Sequence, residues 1–157
     1  MNANDTMKAK SLYFSGYTSF NNGDFQGAIA LATQCLEKAP AGSYWYAGAL
    51  GLRCWAANYL GDNESVEHDA QKLLNLDTGT EKRWFDGLAF LNLGLVYQRK
   101  GKVNEAKAFF SDASDQYATY EIQTSQPGEW KIISHFFVAM AQMAAFEKVE
   151  MLEKVSD

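Results

Sequence analysis

The sequence predicts an all-α protein assembled as a stack of antiparallel helix pairs, and three observations carry that reading. A turn led by glycine falls at Gly23-Asp24, again at Gly61-Asp62 and again at Gly101-Lys102, so one break recurs after 38 and then 40 residues. Five residues after each glycine stand Ala28, Val66 and Ala106, and seven before it stand Gly16, Cys54 and Gly94. Short side chains at such places are what two helices need to cross at ~8–10 Å. The stretches between the turns read as helices and none reads as a strand. A unit of this size cannot bury its apolar face alone and must pack on copies of itself, which yields a curved surface suited to holding other proteins.

Taken in order, helices are expected near 6–22, 24–38, 43–60, 63–76, 81–100, 102–122 and 128–153. Pro40 ends the second, Asp77-Thr78-Gly79 separates the fourth from the fifth, and Ser125-Gln126-Pro127-Gly128 opens the last. On a helical wheel Ile132, Ile133, Phe136, Phe137, Met140 and Met143 share one face, with Lys131, His135 and Gln142 opposite. Such a stripe suits a terminal cap over the third pair, and it leaves open a helix lying partly in the groove or a dimer contact.

In the third unit Phe90, Leu93, Gly94 and Tyr97 are followed by Ala106 and Phe110. Those residue types at those intervals resemble the tetratricopeptide repeat family. The first unit keeps Leu12, Gly16, Ala28 and a closing Pro40, but has Ser15, Ser19 and Ala32 where larger residues are usual. The second keeps Leu50, Gly61 and Leu73, with Cys54 and Val66 in place of smaller residues. The resemblance implies one domain over 1–157, a right-handed superhelical solenoid with repeats near 9–42, 47–80 and 87–120 and a capping helix at 128–153. The family period is ~34 residues. The surplus is expected in longer first helices of units two and three, across Ser43–Leu60 and Glu81–Lys100.

The resemblance also implies that partners lie along the inner face, lined by the first helix of each pair. With Leu12, Gly16, Leu50, Cys54, Leu93, Gly94 and Tyr97 committed to packing, the residues stepped around the helix from them are Tyr13, Tyr17, Trp55, Asn58, Leu91, Leu95 and Gln98. Each of these aromatic and aliphatic residues has an alternative place in the core. The set contains no Lys or Arg, which speaks against capture of a terminal carboxylate by the basic residues some family members use. It suits an amphipathic helix or an extended apolar segment, anchored on Tyr13, Tyr17 and Trp55. Trp45, Trp84 and Trp130 sit near helix starts and are expected to pack between units.

Other functions lack their parts. A net charge of −5 argues against a nucleic acid partner, and Arg99, Lys100, Lys102 and Lys107 read as a solvated helix end. The start, Met1 to Lys10, is polar and no stretch has the ~18 apolar residues that span a bilayer, so no membrane partner and a cytoplasmic location are expected. Cys35 and Cys54 read as buried thiols rather than a disulfide. There is no phosphate-binding loop and no HExxH, and His68 and His135 are expected in exposed or capping roles. Asp62, Glu64, Glu67 and Asp69 gather at a helix start, where negative charge favours the positive end of the dipole. No enzyme, metal or cofactor is expected. The reading is a binding module or adaptor for another protein or peptide. A secretion-type chaperone shielding an apolar client is the alternative, as is a homo-oligomer paired through the last helix or Tyr44-Trp45-Tyr46.

Overall fold

The computed structural model describes residues 3–124 together with 154 and 155, so the helix expected at 128–153, with Trp130 and His135, lies outside the described residues. Among the described residues six helices follow one another: α1 (Ala3–Asn21), α2 (Phe25–Lys38), α3 (Tyr44–Tyr59), α4 (Asn63–Leu74), α5 (Lys82–Arg99) and α6 (Val103–Thr124). Among the described residues there is no strand. The expected boundaries agree to within a few residues. One feature is new: a 3-10 turn, Gly79–Glu81, leads into α5, and Tyr120 on α6 donates its hydroxyl to Glu81 at 2.9 Å.

The three glycine turns close in the same way. Gly23, Gly61 and Gly101 have φ of 79°, 73° and 73°, a region open to glycine and strained for residues with a Cβ. That bend lets the next amide reach five residues back, from Asp24 to Ser19, from Asp62 to Ala57 and from Lys102 to Tyr97, at 2.9, 3.0 and 2.9 Å. These bonds satisfy carbonyls that the helix end would otherwise leave open. Asp24 and Asp62 then cap the following helices, accepting from the amides of Gly27 and Ser65. Ser65 holds the Asp62 carboxyl below its ordinary range.

Packing follows from the small positions. Ala28, Val66, Ala106 and Cys54 are fully buried, and Gly16 and Gly94 are buried with them. A Cβ on Gly94 would lie 2.4 Å from the Phe110 ring of α6, so that ring occupies the space a side chain would take. Across units α1 packs on α3 and α3 on α5, while α2 and α4 join the first helices on either side. Touching first helices make theirs the inner face. The buried clusters run into one another, because Leu36 and Tyr46 border the first and second and Trp55, Trp84 and Tyr97 border the second and third.

Polar groups fix register. Arg53 on α3 donates to both carboxylate oxygens of Asp69 on α4 at 2.7 and 2.8 Å and to Thr33 on α2 at 3.1 Å. Asp69 is 3% exposed in its side chain, so the helix-dipole role expected for it is corrected. It lies beyond the first turn of α4 and balances a partly buried guanidinium. Both thiols are free and buried, Cys35 meeting the carbonyl of Ala9 at 3.2 Å and Cys54 that of Val66 at 3.7 Å.

Replacing Gly94 with Ala is expected to destabilise the protein by about 1–3 kcal/mol despite the better helix propensity of alanine, because Phe110 must move. Urea unfolding checks this; a gain in stability would show that the crossing is looser than described. A second expectation concerns alkaline pH. Burial raises the Cys35 thiol from 9.0 to about 11 and the Tyr13 phenol from 10.0 to about 12. Both groups are neutral when protonated, and the unfolded chain gives up these protons first. Their contribution is therefore complete below pH ~9 and is lost as pH rises, through about 9 to 11 for Cys35 and 10 to 12 for Tyr13, at about 1.4 kcal/mol per pH unit for each group. Urea midpoints measured from pH 7 to 11 should fall from about pH 9, and Cys35→Ala should make that fall shallower without moving its onset, because burial raises the Cys54 thiol as well.

Candidate functional site

The inner face carries an aromatic groove of about 440 Å3 between α1, α3 and α5. One wall is a stripe on α1, Tyr13, Phe14, Tyr17 and Phe20. These positions recur along one side of a helix. Neighbouring rings stand nearly parallel, Tyr13 to Tyr17 at 6.3 Å and 25°, Tyr17 to Phe20 at 6.4 Å and 23°. Tyr59 closes the far end, 5.4 Å from Phe20 and stacked on Phe25 at 4.6 Å. Trp84, Phe85 and Leu88 of α5 form the opposite wall.

The walls of the groove close onto α3 because it has no side chain at Gly48 and Gly51. A Cβ on Gly48 would sit 2.9 Å from the Tyr13 ring, and one on Gly51 2.5 Å from Leu88. Phe14, Tyr17, Tyr44 and Tyr59 are 51%, 46%, 47% and 62% exposed. Four large aromatic residues half open to water on one face form a patch that single exposed apolar residues do not. Burial pushes the Tyr13 phenol up to about 12 and raises that of Tyr44, so both remain protonated and able to donate at neutral pH.

Trp55 and Tyr59 also border a smaller cavity of about 250 Å3 with Asn58, Leu95 and Arg99. Asn58 donates to the side-chain oxygen of Asn92 at 2.6 Å, and Asn92 donates to the Leu88 carbonyl at 2.9 Å. The Asn58 Oδ1 is buried and has no hydrogen-bond partner among the described residues. Arg99 is held by a neutral group, its Nε and Nη2 donating to Asn63 Oδ1 at 2.9 and 2.7 Å. Desolvation lowers its pKa.

Of the residues expected at the inner face, Tyr13, Tyr17 and Trp55 line the groove, and Asn58 and Leu95 join Trp55 in the smaller cavity. Leu91 is a correction. It is fully buried among Ala106, Phe110, Ala113 and Tyr117, so α6 covers it and no partner can touch it. Gln98 is half-buried and lines neither cavity. Trp84, expected between units, borders the groove while packing on Tyr117 and Tyr120 at 5.4 and 5.8 Å. Arg99, read as part of a solvated helix end, places a cation at the inner face where none was expected.

Sequence reasoning missed Phe14, Phe20, Tyr44, Tyr59, Phe85 and Leu88. Phe14 and Phe20 could have been found as continuations of the Tyr13 and Tyr17 stripe, and Tyr59 as four residues beyond Trp55.

A larger polar cleft of about 650 Å3 lies between α2, α3 and α4 around Arg53, Asp69 and His68. Its buried carboxylate is engaged by Arg53, and His68, 68% exposed in its side chain, has Nδ1 3.2 Å from Asp69 Oδ1. Among the described residues no group of three His, Cys, Asp or Glu side chains could hold a metal ion. No described helix is long and apolar enough to cross a membrane.

These helix pairs define an all-α tetratricopeptide-repeat-type solenoid. The chain is similar to the second tetratricopeptide-repeat domain of the human RPAP3 protein, solved in complex with the HSP70 peptide SGPTIEEVD. The TM-score is 0.57 at 21% identity, over 88% of this chain and 98% of that one. Likeness at that identity establishes the fold. No protein-family model and no curated protein matches the sequence.

Leu91→Ala should lower stability by about 2–5 kcal/mol as a core truncation. Tyr17→Ala, at a half-exposed ring, should cost under about 1 kcal/mol. Urea unfolding of both variants checks the assignment; equal losses would place Tyr17 in the core instead.

Proposed function

We propose that the chain is a non-catalytic interaction module that holds an uncharged, apolar segment of another protein in the groove between α1, α3 and α5. The observation that carries this reading is the cluster of four half-exposed aromatic rings over a glycine floor. A soluble chain gains nothing in folding by leaving such rings open, whereas each becomes an anchor once a partner covers it. The similar RPAP3 domain was solved with a peptide, which supports a peptide or protein as the occupant here. Tyr13, Tyr17 and Trp55 are the proposed anchors.

Among the described residues Arg99 is the one cation lining the two cavities, so apolar contact rather than carboxylate capture is expected to supply the affinity. Peptides selected from a random library on the purified protein test this. Their affinity should fall by about thirtyfold in Trp55→Ala, ~2 kcal/mol, and by a similar amount in Tyr17→Ala. Amidating their C-terminus should leave it unchanged. Selected peptides indifferent to both substitutions would overturn the groove as the binding site, and loss on amidation would overturn the apolar mode.

A further inference from the structure

The two cavities of the inner face share a wall. Trp55 and Tyr59, whose rings stand 6.5 Å apart, line both the aromatic groove and the smaller cavity of about 250 Å3 that Arg99 borders. A segment that fills the groove and continues over these two rings therefore meets Arg99 next.

How Arg99 is held decides what it can take. Arg53, Lys82 and Lys100 face the carboxylates of Asp69, Asp86 and Glu67. Among the described residues Arg99 faces no carboxylate; its partner is the neutral Oδ1 of Asn63 on α4, which accepts from Nε and Nη2 at 2.9 and 2.7 Å. A guanidinium carries its N–H donors in a rigid, planar fork. With Nε and one N–H of Nη2 turned to the same oxygen, the edge formed by Nη1 and the second N–H of Nη2 is left over. Such an edge grips a carboxylate through two parallel bonds. Asn63 also restrains the group, so less side-chain freedom is lost when an anion arrives. Lys102, 5.6 Å over the Tyr97 ring, adds to the positive potential at this end of α5.

Charge complementarity divides the occupant into two parts. None of the groove-lining residues is Asp, Glu, Lys, Arg or His, so residues held there gain nothing from charge. At the next cavity a carboxylate would meet an uncompensated cation beside the apolar walls of Trp55, Tyr59 and Leu95, where attraction exceeds that in bulk water. A basic side chain would meet like charge. Arg99 is alone in carrying positive charge among the described residues lining either cavity, which suits one side-chain carboxylate in a continuing chain.

We propose that the bound segment is apolar where it fills the groove and carries an aspartate or glutamate side chain immediately beyond, its carboxylate on the free edge of Arg99. This inference rests on the groove being the binding site and adds the partner's charge and its direction along the inner face. Apolar contact supplies most of the affinity; the ion pair selects among apolar segments and fixes which way round they lie.

The probes are peptides selected on the purified protein from a random library displayed with both ends joined to the carrier, then synthesised with blocked ends. They are expected to share an apolar run with Asp or Glu on one constant side of it. Arg99→Gln should weaken them about fivefold with circular dichroism unchanged, as for a partly exposed ion pair. Replacing the acid by its amide should cost the same factor on the unsubstituted protein and nothing on Arg99→Gln. Arg99→Lys should restore only part of the loss, since lysine lacks the fork. Raising NaCl from roughly 0.05 to 0.5 M should remove most of the Arg99 effect and leave that of Trp55→Ala. If the peptides depend on Trp55 but bind Arg99→Gln equally well, the acidic contact is overturned while the groove stands as a binding site. If they ignore both residues, or if no peptide is selected, both readings fail. If versions with a free C-terminus bind more tightly and Arg99→Gln abolishes that gain, Arg99 takes a terminal carboxylate and the side-chain contact is overturned. If light scattering shows a dimer that Arg99→Gln dissociates, the carboxylate belongs to a second copy and the proposed partner is overturned.

Discussion

Close approach between helices at positions without side chains is the constraint on which the rest of this structure depends. Phe110 sits where Gly94 has no Cβ, and Tyr117 packs over Gly87, whose added Cβ would lie 2.9 Å from that ring. The same exchange on α3, with Tyr13 over Gly48 and Leu88 against Gly51, joins three first helices and leaves a furrow between them. One device therefore builds both the core and the site. In the hairpin the missing side chain is filled by a neighbour's ring, and at the inner face Tyr13 and Leu88 fill the places over Gly48 and Gly51 in the same way.

The buried polar pairs set which residues reach that furrow. Asn58 and Asn92 join α3 to α5 through a hydrogen bond inside the stack, and a slip of one helix against the other would leave the Asn58 amide and the Asn92 side-chain oxygen without each other, while Asn92 kept only its bond to Leu88 in its own helix. Arg53 and Asp69 play the corresponding part between α3 and α4. Apolar contacts alone would tolerate several registers. These pairs select one, and in that register Tyr13 and Trp84 border the same cavity.

Local features of the chain were legible and many-sided ones were not. The glycine turns and the small crossing positions are decided within a few residues, so the hairpins could be read directly. The inner face was derived by stepping around each first helix from its packing residues, which assumes one buried side and one open side. On α1 that holds, and Tyr13 and Tyr17 fall where expected. On α5 it fails, because buried residues surround the helix as α3, α4 and α6 all press on it. Leu91 is lost to α6 for that reason. The Arg53–Asp69 pair spans sixteen residues and two helices, and no local pattern announces it.

Ring-to-ring contact along α1 bears on how the groove can bind with so little hydrogen bonding. Each of these side chains has only two rotatable angles, and packing against the next ring restricts them further before any ligand arrives. Ordering of side chains is a large unfavourable term in association, and here much of it is met during folding. Tyr17 and Tyr59 can thus stay half exposed and yet be held in place, Tyr17 between Tyr13 and Phe20 and Tyr59 between Phe20 and Phe25. On the proposed function, rigidity of the aromatic wall, more than its apolar area, would let the furrow discriminate by shape among apolar segments.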